Sequence, residues 1–166
     1  MNLKTVLLGF LLGRGNLTGY ELKAAMGESV GFFFGASYGS IYPALRELEE
    51  EGLVRSTRVV QTERPNKKVY EITPEGRTRF LDALRGPVAE DSFRSEFLMR
   101  LFFGEHQEPE EILGLIGEYR DAQRGNLERL RRVEREFAGC ATPYELMCMR
   151  YGLTIFEARL SWLEEA

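Results

Sequence analysis

The order of elements in roughly the first 85 residues constrains this chain more than any other feature. Three segments with helical spacing of apolar residues come first, then two short runs with strand alternation, then a fourth helical segment. The spacing predicts a first helix over about residues 2–13, apolar on nearly every side and therefore buried among other elements. Thr18 is placed to cap a second helix from Gly19 to about Val30, with Glu21 completing a capping box. The aromatic connector Phe32-Phe33-Phe34-Gly35-Ala36 is expected to pack inward.

Ser37 or Ser40 is the expected cap of the third helix, which runs to Glu51 and stops at Gly52. Ile41, Leu45 and Leu48 form its apolar stripe, and Tyr38, Tyr42, Arg46 and Glu49 its opposite side. Pro43 fits only if this helix starts late, near Ser40. Strands are expected over 53–60 and 67–73, joined by the polar turn 61–66. Tyr70 and Ile72 share one face of the second strand, with Val69 and Glu71 on the other. Thr73-Pro74 opens a fourth helix ending near Arg85, and Gly86-Pro87 marks a break. The organisation read from this is a winged helix-turn-helix over 1–86 and a helical dimerisation region over 87–166.

The second half is helical throughout. A segment over about 92–104 carries Phe93, Phe97, Leu98, Leu101 and Phe102. Pro109 opens a long helix to about Phe137, with Ile112, Ile116, Tyr119, Gln123, Leu127, Leu130 and Phe137 along one side. After Thr142-Pro143, the residues Leu146, Met149, Leu153, Phe156, Leu160 and Leu163 recur at three-four spacing. That stripe suits either an intrachain bundle or a dimer seam, and spacing alone does not choose between them. The fold class is thus mainly α with a small β-hairpin wing, followed by an antiparallel helical dimerisation region.

Charge is distributed unevenly. The chain as a whole stands at −4, but residues 1–90 hold 12 basic against 11 acidic side chains, and residues 91–166 hold 10 against 15. A neutral N-terminal half permits contact with a polyanion. Its third helix offers Ser37, Tyr38, Ser40, Tyr42 and Arg46 for phosphates or base edges, and Gly39 for close backbone approach. Its wing groups Arg64, Lys67 and Lys68 around Pro65 as phosphate contacts. Two bland alternatives stand beside these: a solvated hairpin turn for the wing cluster, and an ion pair with Glu49 or Glu50 for Arg46.

The residues also carry a resemblance. Gly19-Tyr20-Glu21-Leu22, then the run from Ser37-Tyr38-Gly39-Ser40-Ile41-Tyr42-Pro43 to Glu51-Gly52-Leu53-Val54, and Pro65-Asn66-Lys67-Lys68-Val69-Tyr70-Glu71-Ile72-Thr73-Pro74-Glu75-Gly76 closely resemble the PadR family of transcriptional regulators. The three motifs occur in order and cover most of residues 3–85. The resemblance implies repression of nearby genes, the third helix and wing on double-stranded DNA with a palindromic operator, and a homodimer built by the C-terminal helices. Glu63 departs from the family, which often has glycine at that point of the wing.

Other classes of function find less support. Cys140 and Cys148 are expected as free thiols, and His106 is the only histidine, so neither a metal site nor a cofactor is indicated. There is no glycine-rich phosphate loop, and no carboxylate pair stands out for catalysis, so an enzyme is not expected. The first apolar segment is too short to cross a bilayer and no cleavage site follows it, which predicts a cytoplasmic protein away from membranes. Trp162 is read either as interface packing or as the lining of a pocket for a small aromatic effector. The alternative to DNA recognition is a winged-helix module that binds a protein.

Overall fold

The computed structural model describes residues 1–34, 38–59 and 66–165, and the contacts divide the chain into two compact units, Met1–Glu90 and Asp91–Ala166. Ser37, Glu63, Arg64 and Pro65 therefore lie outside the described residues.

In the first unit, helix α1 spans Leu3–Arg14, strand β1 Leu17–Thr18 and helix α2 Gly19–Ser29. A 3-10 turn over Tyr38–Ser40 leads into α3, Ile41–Glu50. Strands β2 (Val54–Val59) and β3 (Lys67–Ile72) and helix α4 (Pro74–Arg85) complete it. The three strands form an antiparallel sheet in the order β1-β3-β2.

Local chemistry explains most boundaries. The Asn2 side chain accepts from the Thr5 amide at the start of α1. The Thr18 hydroxyl accepts from the Glu21 amide, and Glu21 Oε2 accepts from the Thr18 amide at 2.7 Å, so the capping box is reciprocal. At the end of α3 the chain reverses through Gly52, whose φ of +72° suits a residue without Cβ. The Leu53 amide then donates back to the Leu48 carbonyl at 2.9 Å, satisfying one of the helix's last acceptors. Thr73 caps α4 through the Gly76 amide, with Pro74 in the first turn.

Leu7, Leu8 and Leu11 of α1, Leu22 and Met26 of α2, and Ile41, Leu45 and Leu48 of α3 make the core. Val54 and Tyr70 close it from the sheet. The expected α3 stripe is thus the buried one. Three sequence readings need correction here. Ser40 sits at the N-cap position but its side chain makes no cap hydrogen bond, because its backbone is already helical (φ −84°, ψ −13°) after the 3-10 turn. The connector is not uniformly inward, since Phe33 is 52% exposed while Phe32 stacks edge-on against it. Strand β1 was not foreseen: two residues are too few to show alternation.

The late start expected for α3 is found. Pro43 occupies its first turn, where amides lack helical partners in any case.

The second unit contains α5 (Glu96–Phe102), a 3-10 turn over Gly104–His106, α6 (Pro109–Phe137) and α7 (Pro143–Glu165). Helix α5 is shorter than the 92–104 expected, because Ser95 has an extended backbone and caps it through the Leu98 amide. Its Phe97 is buried and stacks on Tyr119 of α6, ring centroids 3.8 Å apart. Helices α6 and α7 pair along their length: Arg131 bonds Glu157 at 2.8 Å and Arg159 bonds Gln123 at 3.4 Å. Residue number rises on one helix as it falls on the other, so the pair is antiparallel.

This pairing bears on the residues of the α7 stripe. Met149, Phe156 and Leu163 are 7%, 6% and 4% exposed within the single chain, on a helix packed against α6, whose Leu127 and Leu130 are also buried. Leu146, Leu153 and Leu160 are half-buried beside them. Half of the stripe is thus buried within the single chain, and the other half is partly exposed.

Candidate nucleic-acid interface

Of the polar set expected on the outer side of the third helix, Tyr42 and Arg46 lie on α3, Tyr38, Gly39 and Ser40 lie in the 3-10 turn before it, and Ser37 lies outside the described residues. Gly39 and Ser40 are exposed in the 3-10 turn, and Tyr42 (57% exposed) and Arg46 project from the helix. Tyr38 opens that turn. Arg46 does not pair with Glu49, whose carboxylate is engaged elsewhere. The helix is fixed from behind by Lys4 of α1, whose Nζ lies 2.6 Å from Glu51 and 3.1 Å from Glu47. Hydrogen bonds to these two carboxylates, Glu51 first, raise the Lys4 pKa above the ordinary lysine value.

The wing's charges are sorted by strand register. Arg58 pairs with Lys68 and Val59 with Lys67 across the antiparallel ladder. Side chains alternate along a strand, so Ser56, Arg58, Lys68 and Tyr70 share one face while Thr57, Val59, Lys67 and Val69 share the other. The expected cluster of Lys67 and Lys68 is therefore split between two faces of the hairpin. Lys67 is exposed and near enough to Glu21 to act on it. The Glu21 carboxyl is held below the usual carboxylate range first by the Thr18 amide and hydroxyl, and to a smaller extent by the Lys67 ammonium.

Lys68 turns toward the third helix. Its Nζ lies 2.6 Å from Glu49 Oε2 and 5.2 Å from the Tyr70 ring centroid. The Ser56 hydroxyl donates to the other oxygen of the same carboxylate. Glu49 therefore joins α3 to both strands of the wing. The Lys68 and Ser56 hydrogen bonds lower its pKa, and Glu49 in turn raises that of Lys68. On the opposite face Arg55 and Glu71 form a second cross-strand pair at 2.9 Å.

Arg58, exposed and directly across from Lys68, was not among the residues singled out from the sequence. Only the register brings it beside the recognition helix's side of the wing. Glu49, read from the sequence as an outer-face residue and a possible ion-pair partner of Arg46, is engaged instead by Lys68 and Ser56.

In the second unit Trp162 is 44% exposed and meets Phe97 edge-on, with centroids 6.3 Å apart. Among the described residues no group of side chains is arranged to hold a metal ion, and no helix is long and apolar enough to cross a membrane. Cys140 and Cys148 are both free and exposed.

Three helices with a hairpin docked on the third, exposed polar side chains along that helix, and basic residues on the hairpin define a winged helix-turn-helix regulator. The model of the transcriptional regulator PadR-like family matches residues 7–82, and that of the virulence activator alpha C-terminal region matches residues 93–166. A PadR-like transcriptional regulator of Bacillus cereus is 33% identical, with a TM-score of 0.87 over 98% of this chain and 91% of that one. The chain belongs to the PadR-like family of transcriptional regulators.

Further likenesses agree. The smu.1604c protein of Streptococcus mutans is 33% identical, with a TM-score of 0.94 over 99% of this chain and 98% of that one. The Bacillus subtilis negative transcriptional regulator PadR is 27% identical over 98% of this chain and 93% of its own. Its structure in complex with operator DNA matches with 26% identity and a TM-score of 0.80, over 98% of this chain and 95% of that one. Its structure with p-coumaric acid matches with 25% identity and a TM-score of 0.69, over 98% and 92% respectively.

Proposed function

We propose that this chain is a homodimeric repressor that binds a palindromic operator and is released by a small aromatic effector. Residues 1–86 hold the DNA and residues 87–166 join two copies. The observation that carries the reading is the placement of the wing: Glu49 docks it beside the exposed Tyr42 and Arg46 side of α3. A helix in the major groove and a hairpin on the neighbouring backbone are thereby presented together. Ser37, Tyr38, Gly39, Ser40, Tyr42 and Arg46 are assigned to base edges and phosphates, and Arg64 and Lys67 to phosphates. The likeness over nearly the full chain to a regulator solved on its operator supports this assignment.

Dimerisation is supported by the second unit's surface. Tyr144, Met147 and Tyr151 of α7 are 80%, 67% and 60% exposed, and Phe102 is 79% exposed. Aromatic and methionine side chains in that density suit a protein interface, and a second copy presents the same surface. On this reading the seam includes this exposed surface, while Met149, Phe156 and Leu163 pack within the protomer. The effector is supported by the half-exposed Trp162 ring beside the stacked Phe97–Tyr119 pair, and by the likeness to a regulator solved with p-coumaric acid.

DNase footprinting on the region upstream of the chain's own gene tests the reading. Two protected half-sites about 34 Å apart, one helical turn, are expected, and added p-coumarate or a related aromatic acid should weaken the protection. No protection at any protein concentration would contradict DNA recognition. Protection of a single half-site would contradict the dimer.

A further inference from the structure

We infer that Lys68 is a positioning residue that anchors the wing to α3 through Glu49, and that Arg58 supplies the phosphate contact on that face. The inference deepens the DNA-binding reading and rests on it for Arg58. The two cations stand directly opposite each other in the β2–β3 ladder. Like charges so placed repel and destabilise a hairpin unless one is compensated. Glu49 compensates Lys68: the ammonium is 2.6 Å from Oε2, and the other carboxylate oxygen accepts from Ser56. A Lys68 already neutralised by a carboxylate releases no counterion on meeting a phosphate unless that pair is first broken.

Arg58 has no such partner. No carboxylate lies within ion-pair distance of it among the described residues, and its side chain is exposed. Its planar fork of donors suits a phosphate better than an ammonium does. The charge on this face is thus divided by geometry, one cation holding the wing in place and the other facing outward. The Lys68 ammonium also lies over the Tyr70 ring, which favours a fixed position. Tyr70 is itself buried in the core, so the anchor continues into the packed interior.

The test compares K68M, K68R and R58M with the wild type in anisotropy titrations of one duplex at several salt concentrations. R58M should flatten the plot of log affinity against log salt by about two units, one for each protomer of the bound dimer, so that the ratio of wild-type to R58M affinity changes roughly tenfold between 50 and 200 mM salt. K68M should weaken binding by the same factor at every salt, leaving the slope unchanged, and K68R should restore it. A slope that falls by about two units in K68M, or stays unchanged in R58M, would overturn the division of roles. A second measurement needs no DNA: a double-mutant cycle of E49Q and K68M in urea denaturation. Coupling between the two supports the anchor, and additive effects overturn it. A wild type that binds no duplex would overturn Arg58's role together with the regulator reading, while the cycle still decides the anchor.

Discussion

Tyr42 is seated against Gly19: a Cβ on that glycine would stand 2.6 Å from Cε1 of the tyrosine and 3.1 Å from Cζ. Gly19 is the first residue of α2 and is buried, whereas the Tyr42 ring is largely exposed on the outer side of α3. The missing side chain at the start of one helix thus sets where a recognition-helix ring can lie. G19A should displace that ring and weaken DNA binding about as much as Y42A. Adding G19A to Y42A should cost nothing further, because the steric conflict is gone. Binding titrations of the two single variants and the double variant check this; additive losses would show that Gly19 acts elsewhere.

Stability should fall on the acid side for an identifiable reason. Glu21, Glu49 and Glu71 all have pKa values lowered in the folded chain, by hydrogen bonds from Thr18, from Lys68 and Ser56, and from Arg55 respectively. A carboxyl with a depressed folded pKa binds fewer protons folded than unfolded near that range. Its contribution is complete above the ordinary glutamate pKa and is lost as pH falls through the lower folded value. Thermal unfolding between pH 7 and pH 3 should show Tm declining, and E49Q should decline less steeply than wild type. Parallel curves for the two proteins would contradict this. Lys4 and Lys68 have raised pKa values, so their contributions are complete below the ordinary lysine value and are lost as pH rises through the higher folded value.

The two apolar surfaces of α7 should respond differently to substitution. Phe156 is 6% exposed in the single chain, so F156A should cost about 3–5 kcal/mol of stability through a cavity in the α6–α7 core. Tyr151 is 60% exposed, so Y151A should leave protomer packing intact and weaken self-association. Denaturation and sedimentation velocity separate the two outcomes. A stably folded but monomeric F156A would return the stripe to the dimer seam.

Much of the fold was legible because short-range chemistry dictates it. Thr18 with Glu21, Gly52 after Glu51, Thr73 with Pro74, and Pro109 each mark a boundary by satisfying or removing specific backbone groups. What was hidden depends on partners distant in sequence. Three-four spacing along α7 identifies an apolar face but not the surface it meets, and that surface proved to be α6 of the same chain. Alternation along β3 separates Lys67 from Lys68, yet treating them as one basic tip overlooked it. The register that places Arg58 across from Lys68, and the reach of Glu49 to Ser56, follow only once the hairpin is paired and docked. The α3 stripe was readable because its residues and its outer set both lie on one short helix.

Fluorescence anisotropy of the purified protein on its own upstream DNA, with scrambled duplex as competitor and repeated across salt, tests the central claim most directly. Sequence-specific regulation predicts tight binding that survives the competitor and weakens log-linearly as salt rises. Affinity that is absent, or weak and equal for both duplexes at every salt, would contradict it.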